Sequence, residues 1–214
     1  MNDIDLFTQR PDNLTQGVFV NTIDENSFKD FRIAFEYFRE NGNYPFIPVI
    51  VDSFGGCAYS MFGMIDIMMS SNKPVITMAV SKAMSAGAAI LCCGTPGHRF
   101  VSPNATVMLH HVSQNSFGMT GLKDMRNDVN ELQRLDNRMF KLMETQAQKP
   151  PGFFANLIGE SQVHDLYIEP ERCVEHGIVD HIGYPVLNVT TDFSYDIVQP
   201  VESETPKRKT RKSK

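Results

Sequence analysis

A serine that follows an apolar segment is the first candidate for chemistry in this sequence. Ser85 lies in AVSKAMSAGAA (79–89), where a predicted strand gives way to a helix of small residues. A hydroxyl at a helix N-terminus lies at the positive end of the helix dipole, and small neighbours leave room for a substrate. The position suits a nucleophile, and a serine that only caps the helix is the alternative. Ser81 is a competing candidate, although it precedes the helix start.

A pair of glycines follows another predicted strand, in VDSFGG (51–56). Glycines adopt backbone conformations that other residues avoid, and they can leave N–H groups pointing into open space. Such amides can form an oxyanion hole or an anion-binding nest. The alternative is a tight turn that allows close helix packing.

A serine nucleophile needs a base within hydrogen-bond distance and an acid that orients the base. His110 and His111 lie near the end of ATVMLHHV (105–112), the next predicted strand. Neighbouring strand residues point to opposite faces, so only one of these histidines can face the serine, and the spacing does not decide which. His164, beside Asp165 in a polar connection, is a further imidazole that could also cap a helix or bind nothing.

The elements that must position these residues alternate between strand and helix. The predicted strands cover 17–22, 46–52, 74–80 and 105–112. The predicted helices cover 27–40, 57–70, 85–93 and 121–148, and a final helix and strand cover 169–183. This alternation is typical of an α/β fold with parallel strands, in which ligands gather at the carboxyl ends of the strands.

The long helix predicted over 121–148 has an apolar stripe with a spacing of mostly three and four residues. The stripe consists of Leu122, Met125, Val129, Leu132, Leu135, Met139 and Leu142. A 214-residue chain offers no obvious cover for so long a stripe, which favours contact with another subunit. Burial within its own domain is the alternative.

Length and composition predict one folded domain. We expect a flexible segment over 1–16, the domain over 17–185, and an extension over 186–214 that ends in a basic, disordered tail. Acidic residues outnumber basic ones by 25 to 20, and six of the basic residues lie in the last eight positions. The acidic body argues against nucleic-acid binding, because phosphate neutralisation needs a basic face.

The sequence also predicts a cytoplasmic protein. The four cysteines lack the spacing of a metal site and indicate a reducing compartment. The N-terminus lacks a secretory signal, and the most apolar window, 75–93, is interrupted by Lys82, so we expect no membrane span. We expect no cofactor and no metal ion.

Four segments occur in the order of the motifs of the ClpP family, the proteolytic subunit of the Clp protease, and they resemble those motifs. They are SFGG at 53–56, AMSAGAAIL at 83–91, VMLHH at 107–111 and HDLYIEPERCVEHGIVD at 164–180. The resemblance covers roughly 17–183. It implies a ClpP/crotonase-like spiral of repeated ββα units, with the long helix as a protruding handle, and a ClpP-like serine peptidase domain over 17–185.

The resemblance also implies a role for each matching residue. Ser85 takes the position of the family's nucleophile, His110 that of its general base, and Asp165 that of the acid that orients the base. The backbone N–H groups of Gly56 and Ala86 take the positions of the oxyanion hole. The implied activity is endopeptidase cleavage of unfolded protein or peptides inside a ring chamber.

The sequence departs from the family's pattern at several points. Ala86 replaces the usual Met, and His111 replaces the usual Gln. The stretch between His110 and Asp165 is several residues longer than is typical, with KPPGFF (149–154) as the expected insertion.

The resemblance implies seven-membered rings, stacked in pairs through the handle helices, and a Clp-type ATPase unfoldase as a partner. The N-terminal segment looks shortened or replaced, and together with the basic tail this resembles phage-encoded ClpP-like proteins. Two alternatives remain at this point. One is a crotonase-like enzyme that acts on acyl-CoA, and the other is a catalytically silent ring subunit.

Overall fold

A computed structural model describes residues 3–4, 17–42, 44–113, 121–185 and 187–188. The strands within these ranges are β1 (Asp3–Ile4), β2 (Val18–Val20), β3 (Ile47–Ser53), β4 (Val75–Met84), β5 (Arg99–Val101), β6 (Thr106–Leu109), β7 (Leu166–Ile168), β8 (His181–Ile182) and β9 (Leu187–Asn188). The helices are α1 (Glu25–Glu40), α2 (Ala58–Met69), α3 (Ala86–Cys92), α4 (Leu122–Ala147), α5 (Phe153–Ser161) and α6 (Pro170–Glu175). None of them is long and apolar enough to cross a membrane, within the residues described.

The main sheet confirms the predicted α/β class. Strands β2, β3, β4, β5 and β8 pair in this order, and all of these pairs are parallel. Strand β6 pairs parallel with β4, and β7 pairs antiparallel with β6. The antiparallel β7 was not predicted, because three residues are too few to show a periodic pattern.

The long strand β4 has different neighbours along its length. Its first half pairs with β5, through Thr77 to Ala79, and its second half pairs with β6, through Lys82 to Met84. On its other side, the pairing with β3 shifts register near the end of that strand. The sheet therefore divides along β4, and β6 and β7 lie on the branch beside the end of this strand.

Strand β5 and helix α5 were also missing from the sequence prediction. Strand β5 is as short as β7, and α5 begins at the predicted insertion, immediately after Gly152. The prolines at 150 and 151 predict a break, and a helix indeed ends there, but Gly152 has a φ of +83° and acts as the N-cap of a new helix. The side chains of Phe154 and Ile158 on this helix are buried in the core.

The first helix shows why the local sequence folds as predicted. Asp24 and Ser27 form a reciprocal capping box at the start of α1. The backbone hydrogen bond from Ser27 lowers the pKa of Asp24. The predicted apolar face is buried at Phe31, Phe35 and Phe38. Helix α3 is buried along its whole length and packs against β3 and β4, which its small side chains permit.

The two halves of α4 have different environments. Neither contact with another subunit nor burial within its own domain, the two predictions for the apolar stripe, describes the whole helix. Met125 and Val129 are each 53% exposed to solvent, whereas Leu135 and Met139 are buried within the chain. Burial between subunits was therefore the wrong expectation for Met139, because α3, α5 and the core cover the C-terminal half of the helix. In the N-terminal half, the described stripe residues Met125 and Val129 are exposed, and the side chain of Leu122 lies outside the described part of the structure.

The predicted terminal segments lie mostly outside the described residues. Asp3–Ile4 forms a two-residue antiparallel pairing with Leu187–Asn188, which the sequence did not indicate. The basic tail lies outside the described residues.

A buried ion pair joins β5 to the residue before β8 and to the helices. Arg99, which is only 4% exposed, binds both carboxylate oxygens of Asp180 at 2.5 and 2.9 Å. Its remaining nitrogen donates to the carbonyls of Cys92, Gln146 and Gly177 at 2.9 to 3.3 Å. One guanidinium therefore holds together the ends of α3 and α4 and the turn after α6.

The pKa of Asp180 reflects two opposing effects, burial and the contacts with Arg99. Burial acts to raise this pKa, but hydrogen bonds from Arg99 and the charge of Arg99 hold it below the ordinary value. The carboxylate therefore stabilises the fold above its unfolded pKa, and this stabilisation is lost as the pH falls through the lower folded value.

We expect Asp180→Asn to destabilise the protein by about 3 kcal/mol, because Arg99 would stay buried without its counter-charge. The value lies at the low end for broken buried pairs, since 17% of the Asp180 side chain remains exposed. The matched control is Asp66→Asn, which removes the exposed ion pair with Arg138 and should change stability by less than about 1 kcal/mol. Urea unfolding followed by circular dichroism at one protein concentration measures both. Equal effects would contradict the structural role of Asp180.

Candidate active site

Ser85 lies at the turn between β4 and α3, in a backbone conformation that serine rarely adopts. Its φ is +53° and its ψ is −120°, and its amide donates to the carbonyl of Met108 on β6 at 2.8 Å. A residue held in such a region is typical of sites where the surrounding structure fixes a functional side chain. The close packing behind it requires small residues, since a side chain at Gly87 would begin 3.2 Å from Ser53 Cβ.

His110 follows the last residue of β6 and contacts the serine. Its Nε2 lies 2.7 Å from Ser85 Oγ, a hydrogen-bond distance. Burial lowers the pKa of His110, and the nearby Asp165 carboxylate opposes this effect without reversing it. The imidazole is therefore neutral at neutral pH and has a lone pair available to accept the serine proton.

His111 points away from the serine and contacts α4 instead. Its Nδ1 lies 2.9 Å from Asp136 Oδ2, and the other oxygen of Asp136 accepts the backbone N–H of Val112 at 2.8 Å. The alternation of strand side chains, which left two candidates in the sequence, thus places His110 beside Ser85. Asp136 was not among the predicted site residues, and its only signal in the sequence was an acidic residue beside the apolar stripe of α4.

Asp165 reaches this site through the antiparallel pairing of β6 and β7. Leu109 pairs with Leu166, so the residues just beyond them, His110 and Asp165, are neighbours at the open end of the ladder. Asp165 Oδ1 lies 3.6 Å from His110 Nδ1, which is too long for a hydrogen bond. His110 Nδ1 is buried and makes no hydrogen bond within the described part of the chain. The carboxylate instead bonds His164 Nδ1 at 2.7 Å.

The two predicted oxyanion-hole residues line the same cavity as the serine and the histidine. Gly56 has a φ of +149°, and a side chain there would overlap the carbonyl oxygen of Ile23. Ala86 is the first residue of α3, so its N–H has no acceptor within the helix. The glycine at 56 is therefore required by its backbone and by its close approach to a neighbouring segment.

The cavity has a volume of about 240 Å³ and opens to the surface. Its larger side chains are apolar, and they come from four separate parts of the chain: Phe54, Met61, Met108, Val112 and Met139. Met139 belongs to α4, a helix in which the sequence indicated only a packing surface. Such a lining suits an apolar substrate side chain next to the serine hydroxyl.

A charged pair borders the cavity beside Phe54. Lys82 Nζ binds Asp52 Oδ1 at 2.5 Å and lies 4.4 Å from the centre of the Phe54 ring. The pairing of β3 with β4 brings these two side chains together, because Asp52 lies near the end of β3 and Lys82 lies near the end of β4. The lysine charge is neutralised at this edge, and Phe54 remains 73% exposed beside it.

The site also contains three residues with atoms that bind metals. Nitrogen and oxygen atoms of His110, His164 and Asp165 all lie within 4.8 Å of one another. The buried thiols are less suited to such a role, since burial raises the pKa of Cys92 to about 12.

A serine hydroxyl, a neutral imidazole and two adjacent backbone amides support nucleophilic acyl transfer. The imidazole can accept the hydroxyl proton while the oxygen attacks a carbonyl carbon. Backbone N–H groups of residues that line the same cavity, here Gly56 and Ala86, can stabilise the negative oxygen that forms.

Comparisons with known proteins identify relatives of this chain. The sequence model described as Clp protease matches residues 18–185. ATP-dependent Clp protease proteolytic subunit 2 of Mycobacterium tuberculosis is 29% identical over 136 residues, which cover 64% of this chain and 62% of that protein. Proteolytic subunit 3 of Nocardia farcinica is 30% identical over 136 residues, covering 64% of this chain and 60% of that protein.

A third relative gives the same picture. Proteolytic subunit 2 of Corynebacterium jeikeium is 31% identical over 137 residues, which cover 64% of this chain and 63% of that protein. The chain thus spans about three fifths of the length of these curated relatives.

We expect a fluorophosphonate probe to modify Ser85, because its hydroxyl is bonded to a neutral imidazole. Peptide mass mapping of the labelled protein identifies the modified residue. Ser85→Ala should abolish labelling, whereas the matched variant Ser81→Ala should retain it, since Ser81 does not line the cavity. Labelling at Ser81, or persistent labelling of Ser85→Ala, would refute the assignment.

Proposed function

The chain belongs to the Clp protease family, and on this basis we propose that it is a serine peptidase that cleaves unfolded polypeptides. In this proposal Ser85 is the nucleophile, His110 is the general base and Asp165 orients the imidazole. The observation that supports it most directly is the 2.7 Å contact between Ser85 Oγ and His110 Nε2 beside the amides of Gly56 and Ala86.

The reaction proceeds in two acyl-transfer steps. Ser85 Oγ attacks the peptide carbonyl while His110 Nε2 takes its proton, and the N–H groups of Gly56 and Ala86 hold the oxyanion. His110 then gives the proton to the leaving amine, and a water molecule releases the acyl group by the same route. The Asp165 carboxylate stabilises the imidazolium through Nδ1, which requires the 3.6 Å gap to close.

The cavity supports a preference for apolar side chains next to the cleaved bond. Met61 and Met139 lie deep in its wall, and methionines adapt to substrates of different shapes. Phe54 lies exposed at the opening, where it can cover an extended chain. No Asp, Glu, Lys or Arg side chain lines this cavity within the residues described.

The two alternatives account for less of the site. A crotonase-like acyl-CoA enzyme would use the two amides but would leave the contact between Ser85 and His110 without a role. A silent ring subunit would need neither the contact nor the amides. Both therefore remain less supported than a peptidase.

The proposal extends to assembly, partners and location. We infer rings of seven chains, stacked in pairs through the exposed half of α4, which receive substrates from a Clp-type ATPase. The N-terminal half of α4 supports this, because Met125 and Val129 present apolar side chains on a projecting helix. Four free cysteines, three of them buried, are consistent with a reducing cytoplasm.

The histidine pair separates catalysis from structure in a direct test. His110→Ala should lower the hydrolysis rate of a fluorogenic peptide by roughly 10⁴-fold or more, since the base is lost. His111→Ala should retain much of the rate, because His111 contacts Asp136 rather than the serine. A larger loss in His111→Ala than in His110→Ala would contradict the assignment of the base.

Assembly gives a second test that is independent of the serine. We expect a native mass near 337 kDa for fourteen chains of 24.1 kDa, or half that value for a single ring. Met125→Asp with Val129→Asp should reduce this mass and the peptidase rate together, because partnerless carboxylates would be buried between subunits.

The matched control for assembly is Asn127→Asp, which adds a carboxylate to an exposed position on the same part of α4. It should leave the mass unchanged. Light scattering measures all three proteins. A 24.1 kDa particle with full peptidase activity would refute both the ring and its coupling to catalysis.

A further inference from the structure

We propose that His110, His164 and Asp165 bind a divalent transition-metal ion of the Zn²⁺ class, and that the bound ion switches off the serine. The ion would act as an inhibitor and not as a cofactor of the reaction. The binding site follows from the geometry of the chain alone, whereas the inhibition rests on the proposed peptidase function.

The three side chains lie close to the spacing that such an ion requires, with their ligand atoms all within 4.8 Å of one another. Zn²⁺ binds imidazole nitrogen and carboxylate oxygen at about 2.0–2.2 Å in a tetrahedron, so neighbouring ligand atoms lie roughly 3.3–3.5 Å apart. Asp165 Oδ1 lies 3.6 Å from His110 Nδ1 and 2.7 Å from His164 Nδ1. Small side-chain rotations would bring all three atoms to the required separations.

The ligand atoms are also available to an ion from solvent. His110 Nδ1 is buried and has no hydrogen-bond partner in the described part of the chain, so a metal would displace only its proton. The hydrogen bond between His164 Nδ1 and Asp165 Oδ1 would be replaced by their bonds to the metal. The His164 side chain is 77% exposed and the Asp165 side chain 40% exposed. The ion can therefore enter beside His164, and a water molecule can fill its fourth position.

The donor set and the local charge favour this class of ion. Two imidazoles and one carboxylate suit zinc and its transition-metal neighbours, whereas Mg²⁺ and Ca²⁺ prefer oxygen ligands alone. Asp165 and Asp136 are the carboxylates that act on His110. Their charges favour a cation beside the imidazole, whereas burial of the ring and the neighbouring His111 and His164 act in the opposite direction.

Metal binding at Nδ1 would change which nitrogen of His110 carries the proton. Acting as a base toward Ser85 requires the lone pair on Nε2 and the proton on Nδ1. A metal occupies the lone pair of Nδ1, so in the neutral ring the proton must move to Nε2. His110 can then only donate to Ser85 Oγ, and the serine proton has no acceptor. Asp165 would at the same time be held by the metal.

The sequence did not predict this site because its ligands do not form a local motif. His164 and Asp165 are adjacent, but His110 lies 54 positions earlier, and the antiparallel pairing of β6 with β7 brings them together. His164 is the residue that converts a base and an acid into a three-ligand set.

The test compares the full-length protein, free of any metal-binding tag, with His164→Gln and with the matched control His98→Gln. His98 is exposed and lies outside this cluster. Zn²⁺ affinity is measured by competition with a chromophoric chelator, and Co²⁺ absorption identifies nitrogen and oxygen ligands as opposed to thiolate. We expect the wild type and His98→Gln to bind Zn²⁺ equally and His164→Gln to bind at least about tenfold more weakly.

Inhibition is measured on the same three proteins. Zn²⁺ should block fluorophosphonate labelling and peptide hydrolysis in the wild type and in His98→Gln, with recovery on adding a chelator. His164→Gln should need at least about tenfold more Zn²⁺ for the same fractional loss, with each protein compared with its own metal-free rate.

Three results would overturn the proposal. Equal Zn²⁺ affinity in the wild type and in His164→Gln, or a Co²⁺ spectrum with thiolate ligands, would refute the site. Tight binding at the site with undiminished labelling of Ser85 would refute the inhibition. If the protein has no peptidase activity at all, the proposed function fails, but the binding measurements still decide whether the site exists.

Discussion

The candidate site depends on β4 pairing with two different strands along its length. Because β5 takes the first half and β6 the second, the end of β4 meets the end of β6 and not a flat continuation of the sheet. Strand β3 ends on the other side of β4 and delivers the glycine pair. Serine, histidine and amides therefore converge without any one segment carrying them all. A sheet with a single neighbour along β4 would separate Ser85 from His110.

A buried ion pair on β5 stabilises the other part of this arrangement. Strand β5 carries Arg99, whose contacts with Asp180 and with three backbone carbonyls tie the divided sheet to α3 and α4. A buried ion pair is favourable only when its remaining hydrogen-bonding groups are satisfied, and these contacts satisfy them. The position of α3 matters for the site, since its first residue supplies the Ala86 amide and the absence of a side chain at Gly87 lets Ser53 lie close to the helix.

The parts of the fold and site that could be predicted from the sequence are those determined by neighbouring residues. The α/β class, the buried strands and the turn at Ser85 follow from patterns within a dozen residues, and the structure contains all of them. The choice between His110 and His111 needed the register of β6. The neighbourhood of Asp165 needed the antiparallel β7, which is too short to predict. For α4, an amphipathic stripe shows which face of the helix is apolar. It does not show how much of that face packs against the rest of the chain.

The members of the site differ in how firmly the fold holds them. Ser85 and His110 are attached to backbone positions fixed by strand pairing, and the distance between them is already that of a hydrogen bond. Asp165 directly precedes the three-residue strand β7, and its side chain is 40% exposed. The nearer of its two imidazole neighbours is His164. The Asp165 carboxylate thus faces two imidazoles. The imidazole at hydrogen-bond distance, that of His164, has no role in the proposed reaction. Any influence that redistributes this carboxylate, whether a bound ion or contact with another subunit, acts on the part of the site that is easiest to move.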